Sequence, residues 1–260
     1  MYEKGNNMEV SVIDHMGTDL SVVNAARVSY GKKSKALTEK DIKLIKYLAE
    51  HKHWTPFAHT AITFHIKAPM FVARQLGKHQ IGLVWNEISR RYVSDEADFY
   101  EPDTWRGKPE KSKQGSSDEK VNINPHSYIF NHYQRYIMGA KATYEKLLKQ
   151  GVAPELALMA LPQSMYTEWY WTGSVHAFSR VCNLRLQKDV QEETQLIVKK
   201  IFNECWSLFP ISWGELCQSL FEEDNYDEEH IGCYSWPNCD VDPQGCDLSG
   251  YNVESYGHRG

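Results

Sequence analysis

The sequence predicts an α+β protein, a mixed or antiparallel sheet flanked by helices. Three observations carry this. MEVSVID (8–14) and AITFHIKA (61–68) alternate apolar and polar residues with the period of two that suits a half-covered strand. Other stretches repeat apolar residues every three or four positions, as amphipathic helices do. The two kinds mix without the regular strand–helix–strand alternation of a parallel sheet.

The elements follow in order. Residues 8–14 read as a strand. Thr38 suits an N-cap, with Asp41 three residues on, and Ile42, Ile45, Leu48 and Ala49 then share one helix face. In 61–68, Ile62, Phe64, Ile66 and Ala68 point one way. Pro69 follows and suits the first position of a helix over 70–79. A short irregular link then leads to residue 86. Residues 105–124, WRGKPEKSKQGSSDEKVNIN, carry little apolar content and read as a polar loop or insertion. A long helix over 126–150 is closed by Gly151, and a short one starts at Pro154. MYTEWYWT (165–172) is aromatic and strand-prone. Ser174 caps a helix to about Asn183, and an amphipathic helix covers 189–206. Past Phe221 the composition shifts: residues 222–229 hold six acids, and the rest is rich in Gly, Asp, Asn, Ser and Cys. The expected organisation is a domain over 1–221 and an acidic, Cys/Gly-rich appendage over 222–260.

Composition excludes several classes. With 260 residues, 42% apolar and 24% charged, the chain can bury a sizeable core and is neither disordered nor fibrous. No apolar run approaches the ~20 residues of a membrane helix, and MYEKGNNMEV has no signal-peptide core, so a cytoplasmic, membrane-free protein is expected. A net charge of −5 speaks against a nucleic-acid partner. The mean hydropathy of −0.56 beside 12% aromatics describes a polar chain rich in rings that can stack on planar ligands. Six cysteines form no CxxC pair and read as reduced thiols. His230, Cys233, Cys239 and Cys246 match no standard zinc spacing, so no metal is expected.

The chemistry-bearing segments lack GxGxxG, GxxxxGKS, HExxH and GxSxG. What is present is RQLGKHQIGLVWNEISRRY (74–92). Arg74 and Lys78 fall one helical turn apart, as do Gln75 and His79, and Asn86, Glu87, Ser89, Arg90, Arg91 and Tyr92 follow. A hydroxyl beside arginines suits a phosphate, and a lone carboxylate suits an imide, amide or sugar hydroxyl. By composition alone this group reads first as a surface ion-pair cluster. In SVHAFSRVCNLR (174–185), His176, Arg180 and Asn183 share a polar helix face, with Arg185 just past the helix end. HWTPFAH (53–59) places two histidines around Thr-Pro-Phe, weak evidence alone.

Taken together, these segments resemble the flavin-dependent thymidylate synthases, the thymidylate synthase-complementing protein family. The resemblance runs from about residue 9 to 210. It includes NAARVSY (24–30), TPFAH (55–59), FHIKAPMFVARQ (64–75), NEISRRY (86–92), FYEP (99–102), ALPQSMYTEWYWTGS (160–174) and NLR (183–185). It implies an α+β enzyme that converts dUMP to dTMP, with methylenetetrahydrofolate giving the carbon, NADPH the electrons and FAD carrying the hydride. It also implies a homotetramer with active sites where subunits meet. Residue by residue, Gln75, Lys78, Glu87, Ser89, Arg90 and Arg91 match positions that hold dUMP. Arg185 matches the arginine at the uracil and is the expected catalytic residue. Ser29, His53, Thr55, Lys78, His79, Gln80, Glu87, Ser174, His176 and Arg180 match positions at or near FAD.

The chain departs from the family pattern in places. Lys78-His79-Gln80 replaces Arg-His-Arg, and eight residues rather than the family's seven separate Gln80 from Ser89. Leu158 stands where an arginine that meets dUMP is usual. Ser174, His176 and Arg180 replace a common Asn, Arg and Asn, and Asp189 replaces a His, while Gln191 fits. Two alternatives stay open: a flavin-dependent relative with an altered product, such as a hydroxymethylated pyrimidine nucleotide, and a catalytically weak nucleotide-binding homologue.

Overall fold

Four antiparallel strands form the sheet, in the order β1 (Glu9–Met16), β2 (Ala61–Pro69), β6 (Tyr166–Gly173), β3 (Leu83–Glu87). The structure is a computed structural model that describes residues 7–93, 96–110, 115–117, 119–121 and 128–222. The 222–260 appendage beyond its first residue, with His230, Cys233, Cys239 and Cys246, lies outside the described residues, as do parts of 105–124.

The strand pairing explains the alternating sequence. Phe64 on β2 and Trp85 on β3 both pair with Trp171 on β6, and Ile66 pairs with Trp169. These side chains share one face, and Ile62, Phe64, Ile66, Trp169 and Trp171 are buried there. Helix α6 (Val175–Arg185) closes over them: the Phe178 ring meets Phe64 edge-on at 5.0 Å and Trp171 at 5.4 Å. Each buried ring or branched side chain contributes about 1.5–3 kcal/mol from leaving water. Helix α7 (Glu192–Leu208) packs against α6 and also meets β1 and the Met70–Leu76 helix, and its Ile197, Val198 and Ile201 are fully buried.

The remaining helices are α1 (Asp19–Arg27), α2 (Glu39–Glu50), α3 (Met70–Leu76), α4 (Tyr128–Lys149), α5 (Pro154–Ala157), α8 (Pro210–Leu216) and α9 (Ser219–Glu222). Thr38 caps α2 as expected: Asp41 accepts from the Thr38 N–H at 3.0 Å and from its hydroxyl at 2.6 Å. The Ser174 hydroxyl accepts from the Ala177 N–H at 3.2 Å and caps α6. In α1, buried Asp19 accepts from the Ile211 and Ser212 N–H groups at 3.0 and 2.8 Å, tying α1 to the start of α8.

Several expectations are corrected. The link before residue 86 contains β3, whose alternation is hidden in the apolar run Leu-Val-Trp: Leu83 and Trp85 turn inward while Val84 stays 70% exposed. Helix α7 begins at Glu192 rather than 189, because residues 187–190 close a turn through Val190 N–H to Gln187 O. Arg185 is the last residue of α6 rather than lying past it. Asn183 does not join a ligand-facing row: its amide donates to Leu216 O at 2.9 Å. The 105–124 stretch is not all loop, since β4 (Trp105–Arg106) pairs with β5 (Lys120–Val121), and Trp105 packs edge-on against Tyr133 at 5.4 Å. Helices α1, α8 and α9 add to the elements expected from the sequence.

Candidate active site

Strand β2 runs into α3 with no intervening residue, Pro69 ending one and fixing the start of the other. Helix α3 carries Gln75 away from the end of β2 but stops at Leu76 rather than running to 79, so Lys78 and His79 stand in the turn past Gly77. Gly82, with φ +75°, lets the chain turn back into β3. Between these segments lies a cavity of about 810 Å³, lined by Gln75, Lys78, His79, Gln80 and Glu87 together with Phe71, Arg74, Trp85 and Gln163. A smaller pocket of about 100 Å³ adjoins it, lined by Lys78, His79, Gln80 and Arg180. Five expected site residues thus face one cavity, and Arg180 joins next door.

Their side chains are oriented by named partners. Glu87 Oε1 accepts from the Thr167 hydroxyl at 2.6 Å, and Oε2 from the Trp85 indole N–H at 3.3 Å. Trp85 in turn stacks on Trp169 at 4.4 Å, which fixes the indole plane. Gln75 donates to Gln191 Oε1 at 2.5 Å and accepts from the Thr194 hydroxyl at 3.2 Å. Arg185 donates through Nε to His79 Nε2 at 2.9 Å, so that ring nitrogen is unprotonated. Burial, then the positive charges of Arg185 and Arg180, hold His79 below its usual pKa. Burial and Arg180 do the same to His176. Arg74, Lys78 and Arg180 thus supply positive charge to the pocket walls, beside neutral His79 and the single carboxylate of Glu87.

Other expected residues stand apart from the cavity. Ser89 and Arg91 lie in the turn after β3, with Arg91 Nε donating to Ser89 Oγ at 3.2 Å. Arg90 sits between them, half-buried. Ser29 is exposed in the 3-10 turn Val28–Tyr30. His53 and Thr55 are exposed before the turn Pro56–His59, and the neighbouring Trp54 ring lies 5.9 Å from that of His176. That contact brings the 53–55 segment to the start of α6, beside Ser174. Neither described pocket is lined by Ser29, His53, Thr55, Ser89, Arg90, Arg91, Ser174, His176 or Arg185, and Arg185 reaches the cavity only through its bond to His79.

Sequence reasoning missed Phe71, Trp85 and Gln163 as cavity walls. Phe71 and Trp85 look like core residues by pattern, and Gln163 lies in a segment with no periodicity. Beyond Trp85, two residues from Glu87, the groups that orient Glu87 and Gln75 come from β6 and from the start of α7, 80 and 116–119 positions away, a separation at which no local pattern operates.

Residues 11–211 match the thymidylate synthase complementing protein family. The chain belongs to that family. It is 38% identical over 213 residues to the flavin-dependent thymidylate synthase of Thermus thermophilus, covering 82% of this chain and 77% of the relative. It is 43% identical over 199 residues to that of Thermosipho melanesiensis, covering 74% and 84%. Among solved structures it is similar to a UMP/dUMP methylase, PolB, from Streptomyces cacaoi bound with 5-Br dUMP. That likeness has a TM-score of 0.71 at 28% identity, covering 82% of this chain and 96% of that one. All the cavity-lining residues fall inside the span matched to the thymidylate synthase complementing proteins.

Proposed function

We propose that this chain is a flavin-dependent thymidylate synthase that reductively methylates dUMP to dTMP, with methylenetetrahydrofolate as carbon donor, FAD as hydride carrier and NADPH as reductant. The carrying observation is the convergence of Gln75, Lys78, His79, Gln80 and Glu87 on one cavity in a chain of that family. The donor set fits a flavin dinucleotide. Lys78 and Arg180 offer positive charge to a pyrophosphate, Gln80 and neutral His79 offer hydrogen bonds, and Phe71, Leu83 and Trp85 give apolar walls for a planar ring. The volume of about 810 Å³ falls within the roughly 300–1,000 Å³ of ligand pockets. When bound, the flavin supplies the hydride to the uracil ring.

The chain's own residues bind, orient and stabilise. Ser89 and Arg91, with the backbone at Arg90, hold the dUMP phosphate. Ser89 Oγ accepts from Arg91, a donor that cannot take its proton, so among the described residues no base is seen to activate Ser89 as a nucleophile. Glu87, aimed by Thr167 and Trp85, accepts from the nucleotide. Arg185 stabilises the negative charge that grows on the O4/N3 side as hydride reaches C6. Its Nε–H is committed to His79, so the terminal guanidinium nitrogens carry that role.

We assign the catalytic unit to residues 1–221 and infer a homotetramer with shared sites. The support is that Ser29, His53, Thr55, Ser174 and His176 line neither described pocket of a single chain. We place the protein in the cytoplasm, a reading supported by buried free thiols at Cys182, Cys205 and Cys217. Among the described residues no helix is long and apolar enough to cross a membrane, and no His/Cys/Asp/Glu group could hold a metal ion.

The test is the nucleotide product. Purified protein is incubated without oxygen with FAD, NADPH, dUMP and methylenetetrahydrofolate, and the nucleotide is analysed by mass. A dTMP peak is expected. A hydroxymethylated nucleotide, or unchanged dUMP with no flavin bound, overturns the reading in favour of the altered-product or the weak nucleotide-binding alternative.

A further inference from the structure

The polar insertion is bonded to the segment that holds the cavity residue Gln75. Arg106, on β4, donates through Nη2 to both oxygens of Glu193 at 2.7 and 2.8 Å, and its Nη1 lies 2.6 Å from Glu192 Oε2. Its Nε donates to Ser116 Oγ at 2.9 Å, so the guanidinium is engaged along every edge. Glu193 is 3% exposed and also accepts from the Tyr100 hydroxyl at 3.0 Å. A second contact comes from Gly115, whose φ of +76° and lack of a side chain let it lie against the Asp189 backbone. The insertion is thereby fastened to the first turn of α7.

That turn is the one that holds Gln75. Gln191 precedes Glu192 and accepts from the Gln75 amide nitrogen, while Thr194 follows Glu193 and donates to the Gln75 amide oxygen. The bond to Gln191 defines which amide atom faces which way, because reversing the amide would set oxygen against oxygen at Gln191 Oε1, while the Thr194 hydroxyl donates to the Gln75 oxygen in the orientation seen. Each Gln75 atom keeps one further hydrogen-bonding position for a ligand. The Tyr100 ring also packs on Phe71, another cavity wall, at 5.6 Å.

We propose that Arg106 is a positioning residue for the reaction: by clamping Glu193 it fixes the start of α7, and through Gln191 and Thr194 it locks the Gln75 amide in the orientation that meets dUMP. The inference rests on the reading of Gln75 as a dUMP contact. Its physical basis is the planar fork, which matches carboxylate geometry in a way a lysine does not. Burial works to raise the Glu193 pKa, but the Arg106 bonds and charge and the Tyr100 bond prevail and leave it lowered, so the carboxylate is ionised at neutral pH.

The experiment is a double-mutant cycle on full-length protein with FAD, reading kcat and KM for dUMP, alongside hydrogen–deuterium exchange of the peptide spanning 190–198. Arg106→Gln is expected to raise KM for dUMP about tenfold, with kcat within about twofold and exchange at the start of α7 accelerated. In a Gln75→Ala background the same substitution is expected to change KM by less than about twofold, because the group it positions is gone. Tyr100→Phe, a milder change that leaves the insertion intact, gives a smaller shift in the same direction if Arg106→Gln fails to fold. Additive effects in the cycle, or unchanged exchange, overturn the clamp. Accelerated exchange with KM unchanged in both single variants instead overturns the dUMP role of Gln75, and the proposal falls with it.

Discussion

The Nε of Arg185 lies 2.9 Å from Nε2 of His79, so two cationic side chains by residue type are held together as a cation and a neutral base. Protonating His79 would place two donors and two positive charges face to face. Burial, followed by the charges of Arg185 and Arg180, keeps the His79 pKa below its usual 6.5. The folded state then binds fewer protons than the unfolded one, so stability rises with pH through this window. The contribution is intact above pH 6.5 and falls as the pH drops from 6.5 towards the lowered value. In an NMR titration, Arg185→Gln is expected to raise the His79 pKa partway towards 6.5, because burial, the larger cause, remains. An unchanged pKa would contradict the pairing.

Arg185→Ala is expected to abolish turnover while the fold persists. Removing one preorganised donor from developing charge costs roughly 100- to 1,000-fold in rate. Circular dichroism and flavin binding check the fold, and stopped-flow of the reduced flavin checks the chemistry. Near-normal hydride transfer would remove Arg185 from its catalytic role.

Ser89→Ala is expected to weaken dUMP binding more than it slows chemistry. A hydrogen bond to a charged group is worth about 1.5–3 kcal/mol, so Kd for dUMP rises about tenfold or more. Calorimetric titration gives Kd, and single-turnover kinetics give the rate at saturation. A lost rate with unchanged Kd would displace the phosphate from this turn.

Asp19→Ala is expected to destabilise the fold by about 2–4 kcal/mol, by orphaning the Ile211 and Ser212 N–H groups at the start of α8. Asp19→Asn retains an acceptor and loses less. Urea denaturation followed by tryptophan fluorescence measures both, since Trp213 on α8 is fully buried.

Glu193→Gln tests the acid limb of stability. The lowered Glu193 pKa means its ionised form is favoured by folding, so its contribution is present above the ordinary value of 4.5 and is lost as the pH falls through the lowered pKa. The stability gap between wild type and Glu193→Gln is therefore expected to be widest above pH 4.5 and to close below it. A gap independent of pH would show that Glu193 acts only through packing.

Much of this fold was legible because its signals are local. The alternation in 61–68 is the register in which Phe64 and Ile66 meet Trp171 and Trp169. Thr38 and Ser174 cap helices because each hydroxyl or backbone group finds its partner three residues on. The features that escape a sequence reading depend on distance along the chain. Strand β3 exists because Leu83 and Trp85 find Gly173 and Trp171 across the sheet, a pairing no window around residue 85 contains. The cavity set Gln75, Lys78, His79, Gln80 and Glu87 is legible through resemblance, whereas Thr167, Gln191 and Thr194, which hold Glu87 and Gln75 from distant segments, are brought there by tertiary structure alone.

The direct passage from β2 into α3 at Pro69 gives this chain an unequal tolerance to length change. Each residue added to a helix rotates the downstream chain by about 100°. One residue inserted after Pro69 would therefore swing Gln75 and Lys78 off the cavity wall, with no loop to absorb the error. The eight residues between Gln80 and Ser89 include a glycine-assisted turn and enter a strand, where an extra residue can be taken up before the ladder begins. Variation in spacing along this family's signature is therefore expected after His79, and strict spacing before it.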